Sequence, residues 1–373
     1  MQVDRILSCS SQTRVLTTAD EKEWLEILQH CSLKDPHYLP GYLKIYEKVT
    51  NPESFRHFGG QACLFIYGDS QNFIIYPFFK RSIASLPFAD SSVSHLFDIV
   101  SPYGYGGPLP QIQNPSLTDA LWQGFFQAFS SYCLQNNIVS EFARLHPLFE
   151  NHEPVARFSA GTVEKNNRIV YLDLSKSIEE ILDAMTQKRR YNIRKALSNP
   201  YLTSTISSGE GLDLFPILYQ ETMIRKGAEL KFLFPGSFFE AAYKALREHL
   251  IIVYVNYGHE IISAALSIGY GENCYGWLAG SRNEYYQLYP NDLCIYKTFT
   301  TAKARGYKRF VMGGGLKEND SLFKFKAEFS PYSCDFYVYK KIHMADEYLE
   351  LVKLSNQYAR KLPDSFFPEY RSY

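Results

Sequence analysis

The sequence lacks several features that would define a class of protein at once. It has no net formal charge, because its 39 lysines and arginines balance its 39 acidic residues. A neutral chain has no global field with which to hold long nucleic acid or an anionic membrane, so an anionic ligand must be bound by a local cluster of cations. Its seven cysteines include no C-x-x-C pair and follow no regular spacing. This argues against a disulfide framework or a zinc site and indicates a reducing compartment.

Long apolar runs are also missing. No window offers the ~18 uninterrupted apolar residues of a membrane-spanning helix. The first residues, with Asp4 and Arg5, contain no apolar stretch of signal-peptide length. With 46% hydrophobic and 21% charged residues over 373 positions, the chain has an ordinary globular composition and suits two domains. We therefore predict a cytoplasmic protein without stable membrane insertion.

What is present is a coarse duplication of secondary structure. In the first half, residues 62–81 predict two strands around a Gly-Asp-Ser turn, followed by a helix near 117–135 and a strand at 138–142. The second half repeats this order. Its predicted elements are strands at 251–257, 261–270 and 274–279, a helix at 292–305 with Asn291 as N-cap and Gly306 as stop, and a strand at 307–312. The repeat predicts an α+β fold rather than a doubly wound parallel sheet.

A further helix is predicted between the two halves. Ser177 and Glu180 fit a capping box, so this helix should begin at Ile178, and Pro200 ends it. We place the domain boundary near residue 165. The predicted domains are residues 1–165, residues 166–335, and a C-terminal strand and helix over 336–373 that pack back on the body.

The segment from Gln187 to Ala196 carries five cations within eight residues. On a helical wheel, Arg189 and Asn192 fall on the apolar arc, while Arg190 and Arg194 form a pair one turn apart to one side. A cation on a core-facing stripe is costly unless it meets an anion or lines a polar cleft. One interpretation is a phosphate site, because arginine binds phosphate bidentately. The other is a solvated basic helix end that interacts with the helix dipole; the position of Arg189 favours a ligand.

A second candidate segment follows the last predicted strand. Gly313, Gly314 and Gly315 would let the backbone approach a ligand closely or adopt positive φ. Phenylalanines and lysines then alternate up to Lys326. A lysine held among phenylalanines loses solvation and could neutralise an oxyanion when a carbonyl is attacked. The alternative is an amphipathic turn whose lysine reaches water.

Residues 97–108 are too rich in Gly, Pro and Tyr for a regular element and are predicted to form a shaped loop. Asp98, Tyr103 and Tyr105 could contact a substrate from this loop, although turn chemistry alone could explain its composition.

Arg144 and His146 alternate at the end of the matching strand of the first half, so both could face a cleft. A lone histidine can equally be a structural residue. No Ser/His/Asp order, H-E-x-x-H motif or paired-carboxylate motif is present, so neither a hydrolase nor a metal site is predicted.

As an ordered set, these segments resemble FemABX-like proteins of the GNAT acyltransferase superfamily. The resemblance is carried by SPYGYGGPL, RLHPL, LDLSKSIEEI, KRRYNIRKA, QETMIRKGA, LYPNDLCIYKTFTTAKARGYKRFVMGGG and FKFKAEF, within residues 60–331. The family implies tandem GNAT-like (acyl-CoA N-acyltransferase-type) domains with mixed, mainly antiparallel sheets flanked by helices, and acyl transfer onto an amine. Its better-known members use aminoacyl-tRNA and act on nucleotide- or lipid-linked muropeptide.

The resemblance also implies residue roles. Arg190, Asn192 and Arg194 would contact the phosphates of the acceptor, and Phe325 and Lys326 match a Phe-Lys pair near the reacting carbonyl. Two departures are visible. QLYPN replaces the Q/R-x-x-G-x-G/A loop that binds coenzyme A in ordinary GNAT enzymes, and no long coiled-coil insertion follows the basic helix. A large tRNA-holding surface is therefore not predicted.

We therefore expect an acyltransferase that moves an aminoacyl or acyl group onto an amine of a cell-envelope glycan or peptidoglycan precursor. Its partners would be a small-molecule or lipid-linked glycan and a donor, either aminoacyl-tRNA or acyl-CoA, with no tightly bound cofactor and no DNA. Lys326 would stabilise the oxyanion, Gly313–Gly315 would contact the donor, and Asp98 would accept the amine proton. The alternatives are an acyl-CoA-dependent N-acyltransferase acting on an amino sugar in polysaccharide biosynthesis, and an inactive GNAT-like module that binds a glycan nucleotide.

Overall fold

The structure is a computed structural model that describes residues 12–209, 213–358 and 366–372. The prediction about a signal peptide falls mainly on residues before this range and lies outside the described part of the chain. The described residues form one sheet of thirteen strands, flanked by helices on both faces.

The strands are β1 (Gln12–Thr17), β2 (Gln61–Gly68), β3 (Phe73–Ser82), β4 (Phe97–Val100), β5 (Leu109–Gln111), β6 (Ile138–Arg144), β7 (Thr162–Asp173), β8 (Leu202–Ser207), β9 (Leu250–Tyr257), β10 (Glu260–Tyr270), β11 (Asn273–Ser281), β12 (Arg309–Gly313) and β13 (Ser333–Ile342). The α-helices are α1 (Glu21–His30), α2 (Pro40–Glu47), α3 (Pro52–Phe58), α4 (Thr118–Gln135), α5 (His152–Phe158), α6 (Ile178–Asp183), α7 (Gln187–Leu197), α8 (Leu214–Arg225), α9 (Gly236–Leu246), α10 (Pro290–Ala304), α11 (Ser321–Ala327) and α12 (Ala345–Tyr358). None of the helices within these ranges combines the length and the apolar character needed to cross a bilayer.

The two halves share one strand order. In the first half, β1, β2, β3 and β4 are antiparallel neighbours, and β6 joins β4 in parallel. In the second half, β8, β9, β10 and β11 are antiparallel neighbours, and β12 joins β11 in parallel. A parallel pair needs a crossover, which α4 supplies in the first half and α10 in the second. The predicted α+β fold of mixed, mainly antiparallel sheet is confirmed.

The strand β13 joins the two halves into one sheet. It pairs antiparallel with β6 of the first half and with β7, which in turn pairs with β12 of the second half. Residue 165, near which a domain boundary was placed, lies within β7. The division of the chain into domains stays a prediction.

The helix predicted from Ile178 to Pro200 is two helices. The capping box of Ser177 and Glu180 starts α6 as expected. The continuous helix is wrong, because Thr186 is extended and its side chain accepts the N–H of Arg189, which makes it the N-cap of a new helix, α7.

The start of α10 also differs from the prediction. The helix begins at Pro290, and the residue before it, Tyr289, adopts a left-handed conformation with φ of 57°. Asn291 is therefore inside the first turn rather than at the N-cap, and its side-chain oxygen accepts a hydrogen bond from Ser263 Oγ at 2.9 Å.

Candidate functional site

The parallel pair of the second half opens at its carboxyl end. β11 and β12 pair only between residues 273–275 and 309–311, and Gly276, the next residue of β11, is exposed. The ladder between β10 and β11 shifts register here and leaves Trp277 without an opposite residue. Such a β-bulge bends a strand and re-aims a side chain. An exposed residue in the middle of a sheet therefore marks an opening between the two strands.

A cleft of about 380 Å³ lies at the N-terminus of α10. It is lined by residues of α7, of the start of α10 and of α11, namely Lys188, Arg189, Tyr191, Asn192, Tyr286, Tyr289, Pro290, Asn291, Asp292 and Phe325. Tyr191 and Tyr286 expose 56% and 60% of their surface, so both residues offer ring surface to a ligand. Cations next to exposed aromatic rings suit a ligand that carries both a ring and a phosphate.

Arg189 lines this cleft but is held by protein carboxylates. Its Nη1 donates to Asp292 Oδ1 at 2.9 Å and its Nε donates to Glu328 Oε2 at 2.7 Å. Its guanidinium carbon lies 4.3 Å from the centre of the Phe325 ring. The buried cation thus meets anions, which is one of the two conditions under which a core-facing arginine is tolerated. Its role in binding a ligand stays a prediction.

Asn192 and Asp292 complete this buried group. Asn192 Nδ2 donates to Asp292 Oδ1 at 3.3 Å. Burial raises the pKa of Asp292, and the hydrogen bond from Arg189 opposes this rise. A carboxylate thus stands in the first turn of α10, and Pro290 has no N–H to offer an anion there.

Arg190 and Arg194 lie outside the cleft. Arg190 Nη1 donates to the backbone carbonyls of Asp183 at 2.7 Å and Met185 at 2.9 Å, so this arginine caps the end of α6. Arg194 is exposed on α7. In their place, α7 presents Lys188 to the cleft, a residue that the sequence pattern did not single out.

Lys326 lies where the strands part. It is half-buried, and its Nζ donates to the carbonyl of Gly314 at 2.7 Å. Burial lowers the pKa of Lys326 to about 8, partly offset by Asp320. A Cβ at Gly313, whose φ is 74°, would lie 3.4 Å from Lys326 Nζ and 3.6 Å from the Tyr105 hydroxyl. Four predicted site residues therefore lie together, namely Tyr105, Gly313, Gly314 and Lys326. The space between them stays open because Gly313 has no side chain.

Next to Tyr105 lies a buried network of which the sequence pattern indicated only His146. His37 Nδ1 and Asp35 Oδ1 are 2.6 Å apart, and His146 Nε2 lies 3.0 Å from Asp35 Oδ2. Tyr275, from the second half, donates its hydroxyl to Asp35 Oδ2 at 2.5 Å. Burial alone would raise the pKa of Asp35, but the two histidines hold this pKa well below its ordinary value. The carboxylate is thus kept ionised at the boundary between the halves.

Asp35, His37 and His146 also lie close enough together to be considered as metal ligands. The backbone N–H of Leu148 donates to His146 Nδ1 at 3.2 Å, so the neutral ring must carry its proton on Nε2. Nε2 then donates a hydrogen bond and has no lone pair for a metal ion. We assign the three residues to a hydrogen-bonded network, in which the Nδ1–H of His37 donates a hydrogen bond to Asp35 and the ring's lone pair lies on Nε2.

The expectation that Asp98 accepts the amine proton is corrected by its surroundings. Asp98 is fully buried in β4, and its carboxylate accepts hydrogen bonds from Arg81 Nε at 2.7 Å, Arg371 Nε at 2.5 Å and the Tyr370 hydroxyl at 3.0 Å. Burial alone would raise the pKa of Asp98, but Arg371 and Arg81 hold this pKa below its ordinary value. A carboxylate so paired joins the C-terminal residues to the first half and is not a base.

Tyr103 and Tyr105 lie on one loop but have different surroundings. Tyr105 packs edge-on against His37, with ring centroids 5.4 Å apart, and reaches the Lys326 site. Tyr103 packs against Phe58 at 4.7 Å and Tyr46 at 5.9 Å, and its carbonyl accepts the Tyr42 hydroxyl at 2.7 Å. Both residues are half-buried.

Comparison with known proteins gives one family match and several structural ones. Residues 185–326, from just before α7 to Lys326, match the family described as acetyltransferase (GNAT) domain. No curated protein matches the chain by sequence. Among solved structures, the chain is similar to FemX at 14% identity, with a TM-score of 0.66 over 91% of this chain and 99% of FemX.

Two further structures have the same fold at lower similarity. One is the C-terminal domain of a putative lysylphosphatidylglycerol synthetase from Agrobacterium fabrum, at 11% identity and a TM-score of 0.51 over 89% of this chain and 95% of that domain. The other is a conserved protein of unknown function from Bacteroides thetaiotaomicron, at 10% identity and a TM-score of 0.53 over 89% of this chain and 99% of that one. Residues 185–326 therefore match an acetyltransferase (GNAT) domain, and the chain as a whole has the fold of FemX.

Proposed function

We propose that this protein is an N-acyltransferase that moves an aminoacyl or acyl group onto an amine of a cell-envelope glycan or peptidoglycan precursor. The observation that carries the proposal is the half-buried Lys326 beside Gly313 and Tyr105, at the point where β11 and β12 part. A cation held in a poorly solvated place, next to room for a carbonyl, is the arrangement that stabilises the oxyanion of acyl transfer.

In this reaction the amine nitrogen attacks the carbonyl carbon of the donor, an amide bond forms, and the ester or thioester bond of the donor breaks. The Lys326 ammonium stabilises the oxyanion of the tetrahedral intermediate. The amine proton must leave, and the leaving oxygen or sulfur must gain a proton. Water or solvent buffer supplies the proton that the leaving oxygen or sulfur gains.

We assign the amine proton to His37 in place of Asp98. Asp35 accepts a hydrogen bond from the Nδ1–H of His37, which leaves the lone pair of the neutral ring on Nε2. Gly104, with φ of 93°, lies against Nε2 where any larger side chain would collide with the ring. Tyr105 packs between His37 and the Lys326 site, so the proposed base and the proposed oxyanion site share one wall.

The cleft at the start of α10 favours an ester donor with a nucleotide end. Lys188 could contact a phosphate there, and the exposed rings of Tyr191 and Tyr286 could stack on a base. The carboxylate of Asp292 and the absence of an N–H at Pro290 disfavour the pyrophosphate of coenzyme A. We therefore propose an aminoacyl-tRNA end as the donor; one structural relative is named for lysylphosphatidylglycerol, an aminoacylated lipid.

The test is a panel of donors examined by thermal shift and by the mass of the acceptor product. A non-hydrolysable aminoacyl-adenosine mimic should stabilise the protein, by about 2.7 kcal/mol at a hundredfold excess over its dissociation constant. Acetyl-CoA and longer acyl-CoA esters should not stabilise it. Stabilisation by the CoA esters alone would favour the amino-sugar acyltransferase, whereas stabilisation by nucleotide sugars without transfer from any donor would favour an inactive binding module.

A further inference from the structure

The space beside Gly313 is bordered by two polar groups, one from each half of the molecule. A Cβ placed on Gly313 would lie 3.4 Å from Lys326 Nζ and 3.6 Å from the Tyr105 hydroxyl. Apart from the two chain neighbours of this glycine, no other heavy atom of the described residues lies within 4 Å of that point. A ligand atom near it would therefore face both groups at once, and such contacts commonly shorten when a substrate binds.

The ring of Tyr105 is held in place by other rings. It packs edge-on against His37 and Phe336, with ring centroids 5.4 Å apart in each case, and lies tilted against Tyr275 at 5.9 Å. Packing from several sides locks the orientation of a side chain. The hydroxyl at the end of this ring is therefore kept beside Gly313.

This hydroxyl has no protein acceptor. Three other tyrosines around the same loop, Tyr38, Tyr42 and Tyr275, each donate their hydroxyl to a carbonyl or carboxylate oxygen of the protein at 2.5–2.9 Å. No hydrogen bond joins the Tyr105 hydroxyl to any residue within the described ranges. Polar groups away from bulk water are normally paired, so a half-buried hydroxyl left in this state is available to a ligand.

The Tyr105 hydroxyl also keeps its proton. Burial raises its pKa, and Cys334, Tyr103 and Asp35 raise this pKa further. At neutral pH the group is therefore an uncharged hydrogen-bond donor and not a base. Lys326, on the other side of the space, supplies the positive charge.

A cation and a neutral donor that face one point suit an oxygen that gains negative charge during a reaction. When an amine attacks a carbonyl carbon, the C=O double bond opens and its electron pair moves to the oxygen. Donors already aimed at that oxygen stabilise the transition state more than the ground state. Tyr105 would donate a hydrogen bond and keep its proton, so this step needs no further proton transfer.

We propose that the Tyr105 hydroxyl is the second donor to the oxyanion, and that the oxyanion occupies the space left by the missing side chain of Gly313. This inference rests on the proposed function, because it names a further catalytic residue for the same site. Lys326 of the second half supplies the charge, and Tyr105 of the first half supplies the additional hydrogen bond.

The first test removes the hydroxyl and keeps the ring. Tyr105→Phe should lower the single-turnover rate of acyl transfer about 10–100-fold, with little change in the apparent affinity for the donor. The rate should still fall above about pH 8, because Lys326 is unchanged. Tyr337→Phe, at a half-buried tyrosine whose ring stacks on His152, serves as the comparison and should transfer normally. An unaltered rate in Tyr105→Phe would exclude this residue from the reaction.

Two classes of donor separate an oxyanion donor from a general acid. An oxyanion donor acts on the attack, so the loss in Tyr105→Phe should be as large for an activated phenyl ester of an amino acid as for a ribosyl ester. A loss confined to the ribosyl ester, which has the poorer leaving group, would make Tyr105 the acid that protonates the leaving oxygen. That result would refute the oxyanion role.

The second variant fills the space itself. Gly313→Ala would place a methyl group between the two donors and should lower transfer at least as much as Tyr105→Phe. Alanine is strained at this position, where φ is 74°, so Gly306→Ala controls for strain: its φ is 88° and its surroundings are open. Gly306→Ala should transfer normally. Normal transfer by Gly313→Ala would overturn the proposal, and Tyr105→Phe decides if Gly313→Ala does not fold.

A binding experiment distinguishes failure of this inference from failure of the proposed function. In a phosphonate ester analogue of the aminoacyl-adenosine mimic, a tetrahedral anionic group replaces the carbonyl, and binding requires no turnover. Calorimetry should show that Tyr105→Phe weakens binding of the phosphonate about tenfold or more and hardly affects the planar mimic. Equal effects on both compounds would refute the second donor.

The two failures give different results. Binding of the phosphonate that depends on Tyr105, without transfer from any donor, would refute the acyltransferase and keep the anion site. Transfer that is insensitive to Tyr105→Phe would keep the acyltransferase and refute this inference.

Discussion

The two halves of this protein contain the same parallel strand pair, but the carboxyl ends of the two strands stay together in the first half and separate in the second. In the first half, β4 and β6 stay together beyond their ends, since Ser101 N donates to Phe142 O at 3.0 Å and Gly106 bridges to Leu145. In the second half, β11 and β12 separate after three residue pairs. One fold therefore gives a closed strand end in one copy and an open one in the other.

Under the proposed function, this difference assigns the oxyanion site to the second half. The first half fills its strand pair with an internal salt bridge, in which Asp98 is bound by Arg81 and Arg371. The second half leaves Lys326 facing the space beside Gly313. The first half then contributes the wall of the opening, through Tyr105, and the proposed base, His37.

The largest expected effect comes from removing the carboxylate that pairs the two buried arginines of the first half. Asp98→Ala would leave Arg81 and Arg371 buried without their carboxylate, and we expect a loss of about 3–5 kcal/mol in the free energy of unfolding, measured by urea denaturation. Asp119→Ala, which removes an ion pair with Arg157 on the exposed surface, should cost at most about 1 kcal/mol. A small effect of Asp98→Ala would mean that the first half does not depend on this pair.

The second prediction removes the charge from the open half. Lys326→Ala should lower the rate of acyl transfer by about 10²–10³-fold, as loss of an oxyanion donor does elsewhere, with little change in stability. Lys324→Ala, an exposed lysine on the same helix, is the matched control and should transfer normally. Equal rates for the two variants would exclude Lys326 from the reaction.

The third prediction concerns pH. The pKa of Lys326 is lowered to about 8, so its ammonium form predominates below that pH and is lost above it. Single-turnover rates should therefore fall as the pH rises through about 8, by about tenfold for each further unit. Lys326→Arg, which stays charged in this range, should move this fall to higher pH; an unchanged profile would show that another group titrates.

The smallest expected effect is at the cleft beside α10. Tyr286→Ala removes an exposed ring and should weaken binding of the aminoacyl-adenosine mimic by about 1 kcal/mol, as measured by calorimetry. Tyr201→Ala, another exposed tyrosine that does not line the cleft, should leave binding unchanged. A tighter complex with Tyr286→Ala would place the ligand elsewhere.

Local patterns predicted the parts of this molecule that depend on neighbours in the sequence. The duplicated strand and helix order, the capping box at Ser177 and the burial of Arg189 and Asn192 all follow from periodicity or capping. The break between α6 and α7 also has a local cause, which is the N-cap at Thr186. It was not predicted because the apolar residues on both sides of Thr186 fit one continuous helical arc.

The parts that could not be predicted depend on residues far apart in the chain. Asp98 and Arg371 are separated by 273 positions, and Tyr275 and Asp35 by 240. No spacing rule connects such pairs, so Asp98 looked like a loop carboxylate and Asp35 was not selected at all. Which carboxylate a buried cation pairs with, as Arg371 pairs with Asp98, is likewise settled only by the tertiary fold.

The position of β13 has a consequence for synthesis of the chain. Because β13 lies between β6 and β7, the first half keeps an unpaired strand edge until residues 333–342 have left the ribosome. Exposed strand edges invite wrong pairing, so a nascent chain is vulnerable for most of its translation. The order of translation thus makes the halves, alike as they are, finish folding together rather than one after the other.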